Sequence, residues 1–179
     1  MRIFGSKEYG QYSFLLSQYN LIVALGFGWL NQAQLRYFSK ESSNPYYNKS
    51  QIKAFFYSAL FCFIIISIFI LSQTFSIEIW LISILAITTI GIFNYIKTYY
   101  QARLLPLNVL YLSAIQSLLS ILMPLIIIFL CGRSVTSLIF GVALSFIISS
   151  LIVINNNNGK KSFGDIATKN QKEVNKIIA

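Results

Sequence analysis

Histidine is absent from the 179-residue chain, and five carboxylates stand against fourteen lysines and arginines. Without histidine no Ser-His-Asp or Cys-His constellation can be assembled, and the side chain that most readily exchanges protons near neutral pH is missing. The carboxylates Glu8, Glu41, Glu78, Asp165 and Glu173 lie in the N-terminus, the loops, the tail or at the outer edge of an apolar run. No pair of them is set for acid–base work inside a site. The two cysteines, Cys62 and Cys131, are far apart in apolar surroundings. They read as free thiols and supply too few ligands for zinc. Gly26 and Gly28 flank Phe27 without the further glycine and preceding strand of a phosphate loop. These absences argue against an enzyme, and no metal or cofactor is expected.

Charge is scarce as well. Charged residues make up 11% of the chain, hydrophobic residues 56%, and the mean hydropathy is +0.66; roughly a quarter of a typical globular domain is charged. A spanning helix needs about 20 mostly apolar residues, and five candidate spans meet that length: Gln11–Gln34, Ala54–Gln73, Ile77–Tyr99, Leu107–Leu130 and Val135–Ile154. These runs are too continuous for barrel strands, which alternate and cross in about ten residues. Only a helix satisfies every backbone group within one such segment. The expected fold class is all-α: a polytopic transmembrane bundle of about five helices over residues 1–154, followed by a polar tail or linker over 155–179.

The net charge of +9 invites a nucleic-acid partner, but the cations do not gather on one face of a soluble domain. They sit between the apolar runs, where they set topology, and no nucleic acid is expected. Arg36, Lys40, Lys49, Lys53, Lys97, Arg103 and the tail residues Lys160, Lys161, Lys169, Lys172 and Lys176 fall on one side, eleven of the fourteen basic residues. Arg2, Lys7 and Arg133 fall on the other. The positive-inside rule then predicts a cytoplasmic tail and an exported N-terminus. An exported N-terminus with no preceding helix suggests a further helix upstream of Met1. The asparagine run Asn155–Asn158 reads as a solvated loop. The stretch from Phe163 to Ile178 reads as a surface-lying amphipathic helix or the approach to another span.

No span carries a charge near its centre, which argues against an ion relay within these helices. Uncharged polar residues do occur. Gln18, Asn20, Asn94, Asn108 and Gln116 suit helix–helix hydrogen bonds, and Gln18, Asn20, Asn94 and Gln116 are candidates for a cavity that accepts a hydroxyl-rich cargo. Arg36 beside Tyr37, and Lys97 and Arg103 around Tyr99 and Tyr100, put cations next to aromatics at a membrane surface. Anchoring toward anionic headgroups explains that pattern. Its sharper form has Arg36, Lys97 and Arg103 attracting the pyrophosphate of a lipid-linked substrate at the cytoplasmic opening, through groups of which arginine is the better fork. Gly26 and Gly28 suit either a close helix approach or a kink. Pro106 is placed to start the fourth helix and Pro124 to bend it.

The stretch FGSKEYGQYSFLLSQYNLIVALGFGWLNQAQLRYFSK resembles a recurring segment of bacterial polysaccharide flippases. Arg2, Gly5, Glu8, Tyr9 and Gly10 match that family's opening turn, and Gly26, Gln34, Leu35, Arg36 and Tyr37 match the close of its span. NYIKTYYQARLLPLNVLYLSAIQSLLSILMPLIII resembles the same family's fourth helix, cytoplasmic loop and fifth helix. The resemblance implies an oligosaccharide flippase of the superfamily that includes multidrug exporters and the lipid II flippase, with two helical lobes around a central cavity. It implies transport of an undecaprenyl-pyrophosphate-linked repeat unit for surface polysaccharide assembly. The chain would then hold the second to sixth helices of the first lobe and lack its first helix and the second lobe. Its expected partners are membrane lipid, the lipid-linked oligosaccharide, the remainder of the flippase and polysaccharide assembly proteins. A multidrug-type exporter fragment, a small membrane protein that scaffolds a biosynthetic complex and, more remotely, a membrane glycosyltransferase are the competing readings.

Overall fold

The computed structural model describes residues 5–41, 44–72 and 76–159. Among them run five helices: α1 (Ser6–Glu41), α2 (Pro45–Ser72), α3 (Ile77–Ala102), α4 (Pro106–Cys131) and α5 (Val135–Gly159). Each is long and apolar enough to cross a membrane, so the chain is an all-α, multi-pass membrane protein. Gln73, Arg2, the tail lysines and the Phe163–Ile178 stretch lie outside the described residues.

The helices outrun their apolar spans. α1 begins before Gln11 and continues past Gln34 to Glu41, because in its polar close the good helix formers Gln, Ala, Leu, Arg, Lys and Glu outnumber Tyr37, Phe38 and Ser39. α2 starts at Pro45, well before Ala54. The ring at the first helical position forfeits an N–H that had no partner anyway, and Asn44 Oδ1 accepts from Tyr46 N at 3.0 Å, an N-cap bond. α5 absorbs Asn155–Asn158, expected as a loop, and ends at Gly159. Hydropathy marks the depth of lipid that a helix crosses; it does not mark where its hydrogen bonds stop.

Between α3 and α4 the turn closes by capping. Leu104 N donates to Gln101 O and Leu105 N to Tyr100 O, both at 3.0 Å, the paired bonds of a Schellman motif. Leu104 takes the left-handed position at φ 55°, where glycine is usual and a side chain costs roughly 1–2 kcal/mol. Pro106 then opens α4, as its position predicts.

Side-chain pairs give the packing order. Phe14 meets Phe69 and Phe27 meets Phe55, so α1 and α2 run antiparallel. Tyr19 meets Ser83 and Phe38 meets Tyr99, so α1 and α3 run parallel. α5 lies beside α3 through Phe93 and Phe146, and these join Tyr100, Leu112 and Val153 in a second apolar cluster. α4 packs chiefly on α5, lightly on α3, and touches neither α1 nor α2 among the described residues. One end of the bundle therefore collects the C-termini of α1, α3 and α5 with the N-termini of α2 and α4. Arg36, Lys40, Lys49, Lys53, Lys97 and Arg103 all belong to it; it is the basic end.

Glycines decide how closely the helices approach. A methyl group on Gly26 would collide with Cys62 Sγ, whereas one on Gly28 would meet nothing. Of the two, Gly26 alone serves a helix contact. Gly91 lies under the Phe27 ring, and a Cβ on Gly141 would fall 2.5 Å from Pro124 Cα and 2.7 Å from its N. Here backbone meets backbone, and neither side can yield by rotating a bond. Gly141→Ala should therefore destabilise the detergent-solubilised bundle by about 1–3 kcal/mol, the range for overpacking. Gly28→Ala should leave it unchanged or add up to about 1 kcal/mol, since glycine weakens a helix interior. Thermal unfolding followed by circular dichroism separates the two; equal melting temperatures would contradict the α4–α5 contact.

Candidate functional site

The basic end is organised around one arginine. Arg103 caps α3, and its guanidinium carbon lies 4.4 Å from the centroid of the Tyr99 ring and 5.7 Å from that of Phe38. The two rings meet edge to face at 5.6 Å. This stack ties the end of α1 to the end of α3, and such a cation over an aromatic face contributes about 0.5–1 kcal/mol when exposed. Arg103 and Arg36 both remain exposed, so their donors stay open to an anion. Nearby, burial first and Glu41 second push the Tyr47 phenol above its ordinary pKa, which keeps it neutral and a donor.

Lys97 is placed differently. It is half-buried and lines a groove of about 880 Å³ between the last turns of α3 and the first half of α4, with Gln101, Leu105, Val109, Ser113 and Ser117 along its walls. Arg103 and Arg36 do not line it.

The uncharged candidates spread over the bundle. Asn20 is exposed and its amide donates back to Leu16 O at 3.0 Å, so its hydrogen bond stays within its own helix. Gln18, Asn94 and Gln116 are half-buried. Gln18 stands near the level of Ser83, and Asn94 lies eleven residues, about 16 Å, further along α3 at the helical rise per residue. The residue between Gln18 and Asn20 makes the interhelical contact instead: Tyr19 is fully buried and its hydroxyl pairs with Ser83 Oγ at 2.6 Å. An aromatic ring in an apolar run looks like core, and nothing in the spacing announces its hydroxyl as the bridge.

A second polar feature was not among the sequence candidates. Along the basic half of the α1–α2 seam, Asn31 Oδ1, Gln34 Oε1 and Gln51 Oε1 are closed to solvent without a hydrogen-bond partner. Gln34 is 2% exposed and Gln51 9%. Since Phe27 faces Phe55, Asn31 and Gln51 each lie one turn further toward the basic end. Buried oxygens without donors are costly in a low-dielectric interior, and native structures keep few of them. Gln51 escaped sequence reading because it sits in a polar stretch that looked like loop; Gln34 was visible as part of the polar close of the first span.

No protein-family model matches the chain, and neither a curated protein nor a solved structure is significantly similar to it.

The orphaned amide of Gln34 leads to a measurable outcome. Replacing a buried unpartnered polar group by an apolar one of similar size removes a desolvation penalty of about 1–3 kcal/mol. Gln34→Leu should therefore match or exceed the parent in thermal stability. Marked destabilisation would mean that Gln34 already bonds within the bundle.

Proposed function

We propose that the chain is part of a transporter that moves a pyrophosphate-linked, lipid-anchored oligosaccharide across the bacterial cytoplasmic membrane, for assembly of a surface polysaccharide. The observation that carries this reading is the placement of Gln34, Arg36 and Tyr37, the matching close of the flippase-like segment. They fall where α1 leaves the apolar core of a five-helix bundle, at the end that gathers the cations. The positive-inside rule makes that end cytoplasmic, the side on which a lipid-linked precursor would approach. Arg36 and Arg103 are exposed at that end, and guanidinium forks suit a diphosphate. Lys97, expected beside them, stands apart in the α3–α4 groove.

A small membrane protein that scaffolds a biosynthetic complex is the second reading. The interior favours it where Phe27, Cys62 and Ile87 surround a void of about 10 Å³, too small for a sugar.

The test uses cells that accumulate the lipid-linked oligosaccharide, with its appearance on the outer leaflet measured by an impermeant label. Expression of the chain with its native genomic neighbours should raise outer-leaflet labelling. The double variant Arg36→Gln with Arg103→Gln should lower it by roughly tenfold or more, the worth of charged hydrogen bonds lost. Unchanged labelling at equal expression would defeat the transport reading and favour the scaffold.

A further inference from the structure

We infer that the groove between α3 and α4 is a binding site for one anionic glycerophospholipid, with the phosphodiester held by Lys97 and Gln101 and an acyl chain laid along α4. This goes beyond transport and stands whether or not the chain moves a cargo, because it requires only that the helices lie in a bilayer.

Position comes first. The groove opens at the Leu104–Pro106 turn on the basic end and follows α4 to Ser117. Eleven residues at the helical rise make it about 16 Å long, roughly half the hydrocarbon thickness. It therefore starts where headgroups lie and stops near the bilayer centre, the reach of one leaflet's chain.

Chemistry follows the same gradient. Gln101 supplies an amide near the mouth; Lys97, one turn further down α3 and about 10 Å from Leu104 at the helical rise, supplies a cation whose long stem can snorkel toward the headgroups. Val109, Leu110, Ser113, Ala114 and Ser117 form the α4 wall. The Ser117 hydroxyl is spent on Ser113 O at 2.8 Å, which leaves the Ser113 hydroxyl as the main hydrogen-bonding group of an otherwise apolar wall. Among the described residues no carboxylate lines the groove. The α4 of a second copy, which has no carboxylate, would strip water from Lys97 without offering a counter-charge, a costly arrangement. A phosphodiester brings that charge, and a lysine beside an anionic leaflet is favourable. A single cation also matches a single negative charge better than a diphosphate. The two arginines suited to a diphosphate lie elsewhere, Arg103 over the Tyr99 and Phe38 rings and Arg36 on α1, which does not touch α4.

The full chain, purified in mild detergent, is offered phosphatidylglycerol or phosphatidylcholine and weighed intact by native mass spectrometry. One phosphatidylglycerol should be retained in preference to phosphatidylcholine. Lys97→Gln should cut retention about fivefold, the effect expected of one interfacial lysine. Ala114→Phe, which fills the wall, should cut it as well. Lys53→Gln, exposed on α2 and outside the groove, should not. Equal retention of the two lipids, or full retention by Lys97→Gln, overturns the inference. So does displacement of phosphatidylglycerol by an isoprenoid diphosphate, which would assign the groove to the transport substrate, or a dimer that forms in place of the lipid adduct. Should Ala114→Phe fail to fold, Lys97→Gln alone decides. Loss of lipid retention in Lys97→Gln with outer-leaflet labelling intact would separate this site from the proposed function.

Discussion

Inside a hydrocarbon slab a peptide group has no water to turn to, and every polar atom must find its partner within the protein. The whole bundle is arranged around that demand. Hydroxyls on the helices mostly turn back on their own backbone: Ser17 donates to Ser13 O, Thr88 to Ile84 O, Ser117 to Ser113 O. These side chains are solved locally and carry no tertiary information. What remains includes the Tyr19–Ser83 bridge between α1 and α3, the Trp80 indole donating to Ser67 Oγ between α3 and α2, the Cys62 thiol donating to Ile22 O between α2 and α1, and buried oxygens without a donor, among them the amide oxygens of the α1–α2 seam and the Ser58 and Ser150 hydroxyls.

With little hydrophobic force to drive one helix onto another in lipid, association depends on close contact. Gly26 against Cys62, Gly91 under Phe27 and Gly141 on Pro124 are where backbones come nearest. They divide the bundle into a knot of α1, α2 and α3 and a hairpin of α4 and α5, which α5 joins to α3 through Phe93 and Phe146. α4 is left with one well-packed face. The groove beside Lys97 is the space left where α3 and α4, though joined by a short turn, both pack on α5 and touch each other only lightly.

Much of this was legible in the residues. Length and hydropathy were enough for five helices and their membrane character, because lipid allows so few alternatives. Charge placement was enough to group the basic residues at one end, and Pro106 announced the start of α4. Helix ends were less legible: PYYNKSQIK and the asparagine run are polar, and a polar stretch can be loop or helix with equal ease once it leaves the lipid. The interior polar contacts were least legible. Gln18 and Asn20 drew attention by residue type, while the bridge fell to Tyr19 between them, because only the rotation of α1 about its axis decides which of three consecutive residues faces α3. Lys97 and Arg103 looked alike in sequence; the structure lays one over aromatic rings and sets the other in a groove wall.

The reach of α1 has a mechanical side. Its 36 residues amount to about 54 Å at the helical rise, far more than the roughly 30 Å of hydrocarbon it must cross. Beyond Gly26 the helix stays packed: Leu30 and Gln34 are buried, Phe27 meets Phe55 and Phe38 meets Tyr99. The extra length is therefore a braced mast, which carries Arg36, Tyr37 and Lys40 toward the membrane surface at a height fixed by α2 and α3.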